Sequence, residues 1–129
     1  MEMKNCIIVQ AHKSSFPDPI VLKKGEKVSI GGEYLEDPDW PNWIECKNQE
    51  GEKGWVPKQY LKISGNTGII LRDYSAKELD VKIGDEITVY RFQNGWAWCK
   101  STAGEFGWIP LKNIIMNNKR RLKPVVSGS

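Results

Sequence analysis

The stretch Gly54-Trp55-Val56-Pro57 returns as Gly107-Trp108-Ile109-Pro110, and nothing else in the chain constrains the fold as tightly. Each copy sets Gly, an aromatic, a β-branched residue and Pro in the same order, and each then runs on to an aliphatic, Leu61 or Ile114. A strand closing into a single helical turn fits that order, because the fixed φ of Pro suits the first position of such a turn. The step from Trp43 to Trp55 equals the step from Trp96 to Trp108, so the register of the two copies is unambiguous. Trp43-Ile44-Glu45-Cys46-Lys47 then aligns with Trp96-Ala97-Trp98-Cys99-Lys100.

Extended outward, the echo divides the chain into a first module at 1–63, a linker at 64–67, a second module at 68–116 and a basic tail at 117–129. Short strands are expected near residues 6–10, 28–30 and 43–47 in the first copy, with counterparts at 68–71, 87–90 and 96–100 in the second, separated by Gly, Pro and Asp-rich loops. The copies differ in loop length only: the loop around Asp37-Pro38-Asp39-Trp40-Pro41 is longer in the first, as is the loop from Ser14 to Pro19. Loops tolerate insertions that a shared core does not. The spacing, with no 3.6-residue periodicity, predicts an all-β fold of two small five-stranded barrels in tandem. A four-residue linker spans at most roughly 14 Å, so the modules are expected to be near neighbours.

The formal charge of +3 is a poor guide to partners, because Lys119, Arg120, Arg121 and Lys123 all lie in the tail and leave 15 basic against 16 acidic residues elsewhere. A nucleic-acid-binding face on the folded part is therefore not expected. The three cysteines are an odd number without a Cys-x-x-Cys pair, which argues against a disulfide scaffold or zinc site. No apolar run reaches the roughly 18 residues of a membrane span, and the first residues lack an apolar signal region. A cytoplasmic chain with no membrane association is expected.

In the second copy Ile70-Leu71-Arg72-Asp73-Tyr74, Glu78-Leu79-Asp80-Val81-Lys82-Ile83-Gly84-Asp85-Glu86, Trp96 and Gly107-Trp108-Ile109-Pro110 closely resemble a Src homology 3 domain. The first copy resembles it through Leu22-Lys23-Lys24-Gly25-Glu26, Trp43, Gly54-Trp55-Val56-Pro57 and Tyr60. The chain is thus similar to a tandem of the variant Src homology 3 modules common in bacteria. The resemblance implies an adaptor that holds extended, proline-containing peptides in shallow aromatic grooves between two loops. A left-handed polyproline helix is already ordered, so docking it on fixed rings costs little entropy, and an acidic loop offers a partner for a basic ligand residue.

Carried over position by position, the resemblance gives the second groove Tyr74, Trp96, Trp108 and Pro110, with Glu78 as its acid. Arg72 stands where the family usually has its first Tyr, and Asn113 where it has its last. The first groove receives Trp43, Trp55, Pro57 and Tyr60, with His12 and Gln10 in the places of the loop tyrosines. Asp18 is its expected acid, with Glu36, Asp37 and Asp39 nearby, and Phe16 and Trp40 in the inserted loops are expected to rebuild a groove edge.

Trp43 and Trp96 are expected to be exposed for contact, Trp98 to lie at a surface or interface, and Cys46 and Cys99 to be inert core residues. His12, the single histidine, has no second ligand or base beside it and reads as a groove or loop residue. No nucleophile motif, phosphate-cradling loop or paired-acid frame is present, so neither catalysis nor a cofactor or metal is expected. The leading expectation is a non-enzymatic peptide-binding module with a protein partner. The alternative is a nucleic-acid or ribosome-associated role through the barrels and tail, and recognition of cell-wall peptide is disfavoured by the missing export signal. The tail is expected to be disordered, although Arg121-Leu122-Lys123-Pro124 offers a basic residue and a proline through which the chain could self-associate.

Overall fold

The computed structural model describes residues 3–14 and 18–116. The described residues are all-β, with twelve strands and two single-turn 3-10 helices among them. The strands are β1 Lys4–Ile8, β2 Val21–Leu22, β3 Lys27–Glu33, β4 Trp43–Lys47, β5 Lys53–Pro57, β6 Leu61–Ser64, β7 Thr67–Ile70, β8 Tyr74–Ser75, β9 Glu86–Gln93, β10 Trp96–Ser101, β11 Phe106–Pro110 and β12 Ile114–Met116. Each repeated Gly-Trp-Val/Ile-Pro ends its strand as expected: Pro57 and Pro110, at φ −62° and −61°, lead into the turns Lys58–Tyr60 and Leu111–Asn113.

The two five-stranded sheets do not follow the two sequence repeats. One has the order β5-β4-β3-β7-β6 and the other β11-β10-β9-β1-β12. The first strand of the first repeat, β1, thus lies in the second repeat's sheet, pairing Cys6 with Ile87 and Met116 on its two sides. In exchange β7, the first strand of the second repeat, lies between β3 and β6 of the first, with Val28 opposite Gly68 and Leu61 opposite Ile70.

The expected linker at 64–67 is the reason. Ser64 pairs directly with Thr67, and Gly65-Asn66 forms a two-residue hairpin turn with a positive φ of 62° at Gly65 and none at Asn66. Glycine at the first central position is the requirement of a type II′ turn, whose twist matches that of antiparallel strands. The chain leaving β6 therefore folds straight back as β7 and cannot start a separate module.

Backbone hydrogen bonds show that the two units are equivalent once the exchange is allowed for. Ile70 receives Gly25 N–H on its carbonyl and donates to the Glu26 carbonyl; Ile8 does the same with Gly84 and Asp85. Leu71 N–H donates to the Tyr60 carbonyl, and Val9 N–H to that of Asn113. Two cores result. The first unit packs Ile20, Leu22, Val28, Cys46, Val56 and Leu61 with Ile70 and Tyr74 from the second repeat. The second packs Leu79, Val81, Ile87, Val89, Cys99 and Ile109 with Cys6 and Ile8 from the first.

The chain crosses between units twice, from His12 to Ile20 and from Ser75 to Leu79. Val21–Leu22 pairs with Ser75–Tyr74, and His12 bridges Val81. The glycine of each repeated motif lies under such a crossing, since a Cβ at Gly107 would come within 2.8 Å of the Leu79 side chain and 2.9 Å of its backbone nitrogen. Asn113, which stands where the family usually has its last Tyr, is buried and its amide donates to the Gln10 and Ala11 carbonyls at 3.0 and 3.1 Å. It fastens the exchanged segment to the second unit.

Burial raises the Cys46 and Cys99 thiols to about 12, which keeps both protonated and unreactive. Removing residues 1–12 should open only the second core, because β1 has no substitute there. In a thiol-titration assay at neutral pH without denaturant, Cys99 should become reactive in this truncated chain while Cys46 stays protected. Equal protection of both would show that the second unit closes without β1.

Candidate functional site

A tight turn of the second unit meets a long loop of the first. Asn94 and Gly95, at φ 49° and 87°, form a type I′ turn between β9 and β10 that presents Trp96. Trp43 Nε1 donates across the boundary to the Asn94 carbonyl at 2.9 Å, and the Asn94 amide donates to the Asn42 carbonyl and to Gln59 Oε1. The loop at 34–42 lies against this turn so closely that a Cβ at Gly95 would run into the Asp39 carbonyl.

The expected groove residues are regrouped by the strand exchange. Tyr74, assigned to the second groove, stands with the first unit: its ring packs edge-on against Tyr60 at 5.5 Å, and its hydroxyl donates to the Trp55 carbonyl at 2.7 Å. His12, assigned to the first groove, stands with the second: it meets Trp96 edge-on at 5.6 Å, and its Nε2 donates to Glu78 Oε1 at 2.8 Å. Residues assigned to both grooves meet in one place. His12, Asp18, Trp40, Trp43, Trp55, Tyr74, Glu78, Trp96 and Trp108 all line one cavity of about 330 Å³ at the boundary, together with Tyr34, Glu45 and Lys53.

Trp43 was expected to be exposed, but it is 6% accessible and its indole hydrogen is engaged. Trp108 is buried too, donating to the Ser75 carbonyl at 2.8 Å and meeting Trp43 edge-on at 6.1 Å. These two form the floor. Trp40, Trp55 and Trp96 are half-buried and supply the accessible rings, Trp40 and Trp96 lying 5.0 Å apart across the boundary. Tyr60, Pro57 and Pro110 are buried beneath or beside the cleft and do not line it. Trp98 lies at the interface, packed on Trp108 at 5.1 Å and stacked on Phe106 at 6.0 Å. Phe16 and the tail with Arg121–Pro124 fall outside the described residues.

Tyr34 and Glu45 line the cleft although the repeat alignment did not single them out. Tyr34 packs edge-on against Trp55 at 5.2 Å and near Trp40 at 6.0 Å, and burial is the first cause that raises its hydroxyl above the usual tyrosine range. It lies in the inserted loop, where the second repeat offers no counterpart. The acids Glu36, Asp37 and Asp39 remain in that loop, where the Asp37 carboxylate accepts the Asp39 N–H and meets Lys112 at 3.9 Å. The rim of the cleft carries three carboxylates, Asp18, Glu45 and Glu78, against Lys53 and His12. Among the described residues no group of three or more His, Cys, Asp or Glu is placed to hold a metal ion, and no helix is long and apolar enough to cross a membrane.

A model of the variant SH3 domain matches the chain twice, over residues 6–64 and 67–115. The chain belongs to the variant SH3 domain family. It is similar to Protein nervous wreck of Drosophila melanogaster, with 27% identity over 90 residues. That similarity covers 69% of this chain and 8% of the fly protein, so the chain spans a small part of its relative's length. No solved structure shows a significant match. The two SH3 matches end and restart at the β6–β7 hairpin, so the strand exchange takes place between two family units and not within one.

Gly95 holds a positive φ and touches the opposite loop, so Gly95→Ala should separate the loop at 34–42 from the second unit. The expected cost is about 1–3 kcal/mol in urea unfolding, with altered indole signals for Trp40 and Trp96 and an unchanged Trp55 signal. A wild-type spectrum for Trp40 and Trp96 would refute the contact.

Proposed function

We propose that this SH3 tandem is a protein-interaction module that binds one extended peptide segment in the single cleft between its units. The observation that supports this reading most strongly is the cavity shared by Trp40 and Trp55 of the first unit and Trp96 and His12 of the second. Rings from both units face the same space.

The chemistry of the walls defines the segment. Flat rings at Trp40, Trp55 and Trp96 favour rigid apolar or prolyl residues, whose docking loses little entropy. Asp18 and Glu45 favour a basic residue beside them, and a cation over Trp96 gains further from the ring quadrupole, whereas the Trp40 ring already carries the Lys112 ammonium at 5.0 Å. The same carboxylates disfavour a polyanion in the cleft, which places nucleic acid behind peptide as a ligand. One cleft also means one ligand per chain, with no avidity between separate grooves.

A titration with a proline-containing peptide that carries one arginine tests this. Trp40 and Trp96 indole signals should move together along one isotherm with 1:1 stoichiometry, and replacing the arginine with glutamine should weaken binding about five- to thirty-fold. Two different midpoints would divide the cleft into independent grooves. Unchanged signals at millimolar peptide would remove the proposal altogether.

A further inference from the structure

Tyr60 is the family position on which a ligand proline would rest, and here two arginines have taken its ring. Arg72 comes from the first unit and sets its guanidinium carbon 4.9 Å from the ring centroid. Arg91 comes from β9 of the second unit, lies 5.9 Å from the same centroid and donates from Nη1 to Tyr60 Oη at 2.9 Å. Among the described residues neither guanidinium forms an ion pair with a carboxylate. Arg72 is exposed and Arg91 half-buried, so N–H donors of the two forks remain available on a surface that carries two positive charges.

We propose that Arg72 and Arg91 form an oxyanion subsite over Tyr60 that takes a carboxylate or phosphate group carried by a side chain of the bound peptide. The inference rests on the peptide-binding reading above and adds a second, oppositely charged contact to it. The ring of Tyr60 is covered by a guanidinium and is no platform for proline. Two guanidinium forks held at one ring offer N–H donors of the kind that an oxyanion accepts. A planar guanidinium stacked on a ring keeps its in-plane hydrogens pointing outward, so the cation–π contact orients Arg72 without consuming its donors. Because one arginine belongs to each unit, an anion held between them also ties the units together. A ligand would then present its basic residue to Asp18 and Glu45 in the cleft, and an acidic or phosphorylated residue beyond the cleft to Arg72 and Arg91.

The full chain is titrated in two arms, at constant ionic strength. In the first, inorganic phosphate is added against a chloride reference while the arginine Nε–H resonances are followed. Saturable shifts at Arg72 and Arg91 are expected, lost in Arg72→Gln, whose exposed loop position leaves the cores intact. Shifts no larger than those with chloride, or shifts that persist in Arg72→Gln, would overturn the subsite. In the second arm two arginine-containing peptides differ only in Glu or Gln at the acidic position. The Glu peptide should bind about five-fold tighter, an advantage that Arg72→Gln abolishes. Equal binding of the two peptides would show that the anion is not a peptide side chain, and saturation by phosphate alone would then assign the site to a free oxyanion. Failure of both peptides to move Trp40 and Trp96 would instead count against the peptide reading, and the phosphate arm separates the two failures.

Discussion

A two-residue turn governs this molecule. Gly65 and Asn66 join β6 to β7 so tightly that the second repeat's first strand must pair with the first repeat's last one. Once β7 is committed to the first sheet, the second sheet has a gap between β9 and β12, and β1 is the strand of the matching pattern left to fill it. The buried apolar residues of β1, Cys6 and Ile8, have the period-2 spacing that this place requires, as Gly68 and Ile70 have in β7. Everything that distinguishes the tandem from two separate modules follows: the two crossings, the mixed cores, and the merging of two grooves into one cleft.

Merging has an energetic logic. Two indoles that separate modules would leave in water, Trp43 and Trp108, are buried at the boundary with their N–H groups satisfied by carbonyls of the other unit's chain segments. Burying a large ring stabilises by about 1.5–3 kcal/mol, and the hydrogen bond removes the penalty of an orphaned donor. Exposed ring surface is exchanged for cohesion: the rings left accessible, Trp40, Trp55 and Trp96, sit on a floor packed against both units.

Much of this was legible in the sequence. The Trp-to-Trp step, the Gly-Trp-Val/Ile-Pro copies and the loop-confined insertions were enough to establish two SH3 units and their strand registers, because each reflects local constraints of turn and pleat. Partner choice was not legible, because β1 and β7 carry interchangeable patterns and would satisfy either core. The signal was nevertheless present: Gly-Asn between Leu61-Lys62-Ile63-Ser64 and Thr67-Gly68-Ile69-Ile70 is a hairpin dipeptide between two alternating runs, and reading it as a linker hid the exchange. The same reading placed Tyr74 and His12 in the wrong grooves as neighbours, although both belong to the cleft that formed. Asn113 showed the opposite lesson, since a missing aromatic proved to be a backbone clamp that only the exchanged segment explains.

The pairing of β1 with β12 joins residues 110 positions apart, Cys6 and Met116 among them. During synthesis the chain emerges N-terminus first, and its first strand then has no sheet to enter. The first unit, residues 20–76, has all its strands as soon as its own hairpin is out, whereas β1 must wait for β9 and β12. Contacts of such long sequence separation close slowly, and a strand with a bare edge is open to pairing with other chains while it waits. Lys4, the one charged residue of this short strand, sits where charge on a temporarily bare edge discourages mispairing during assembly.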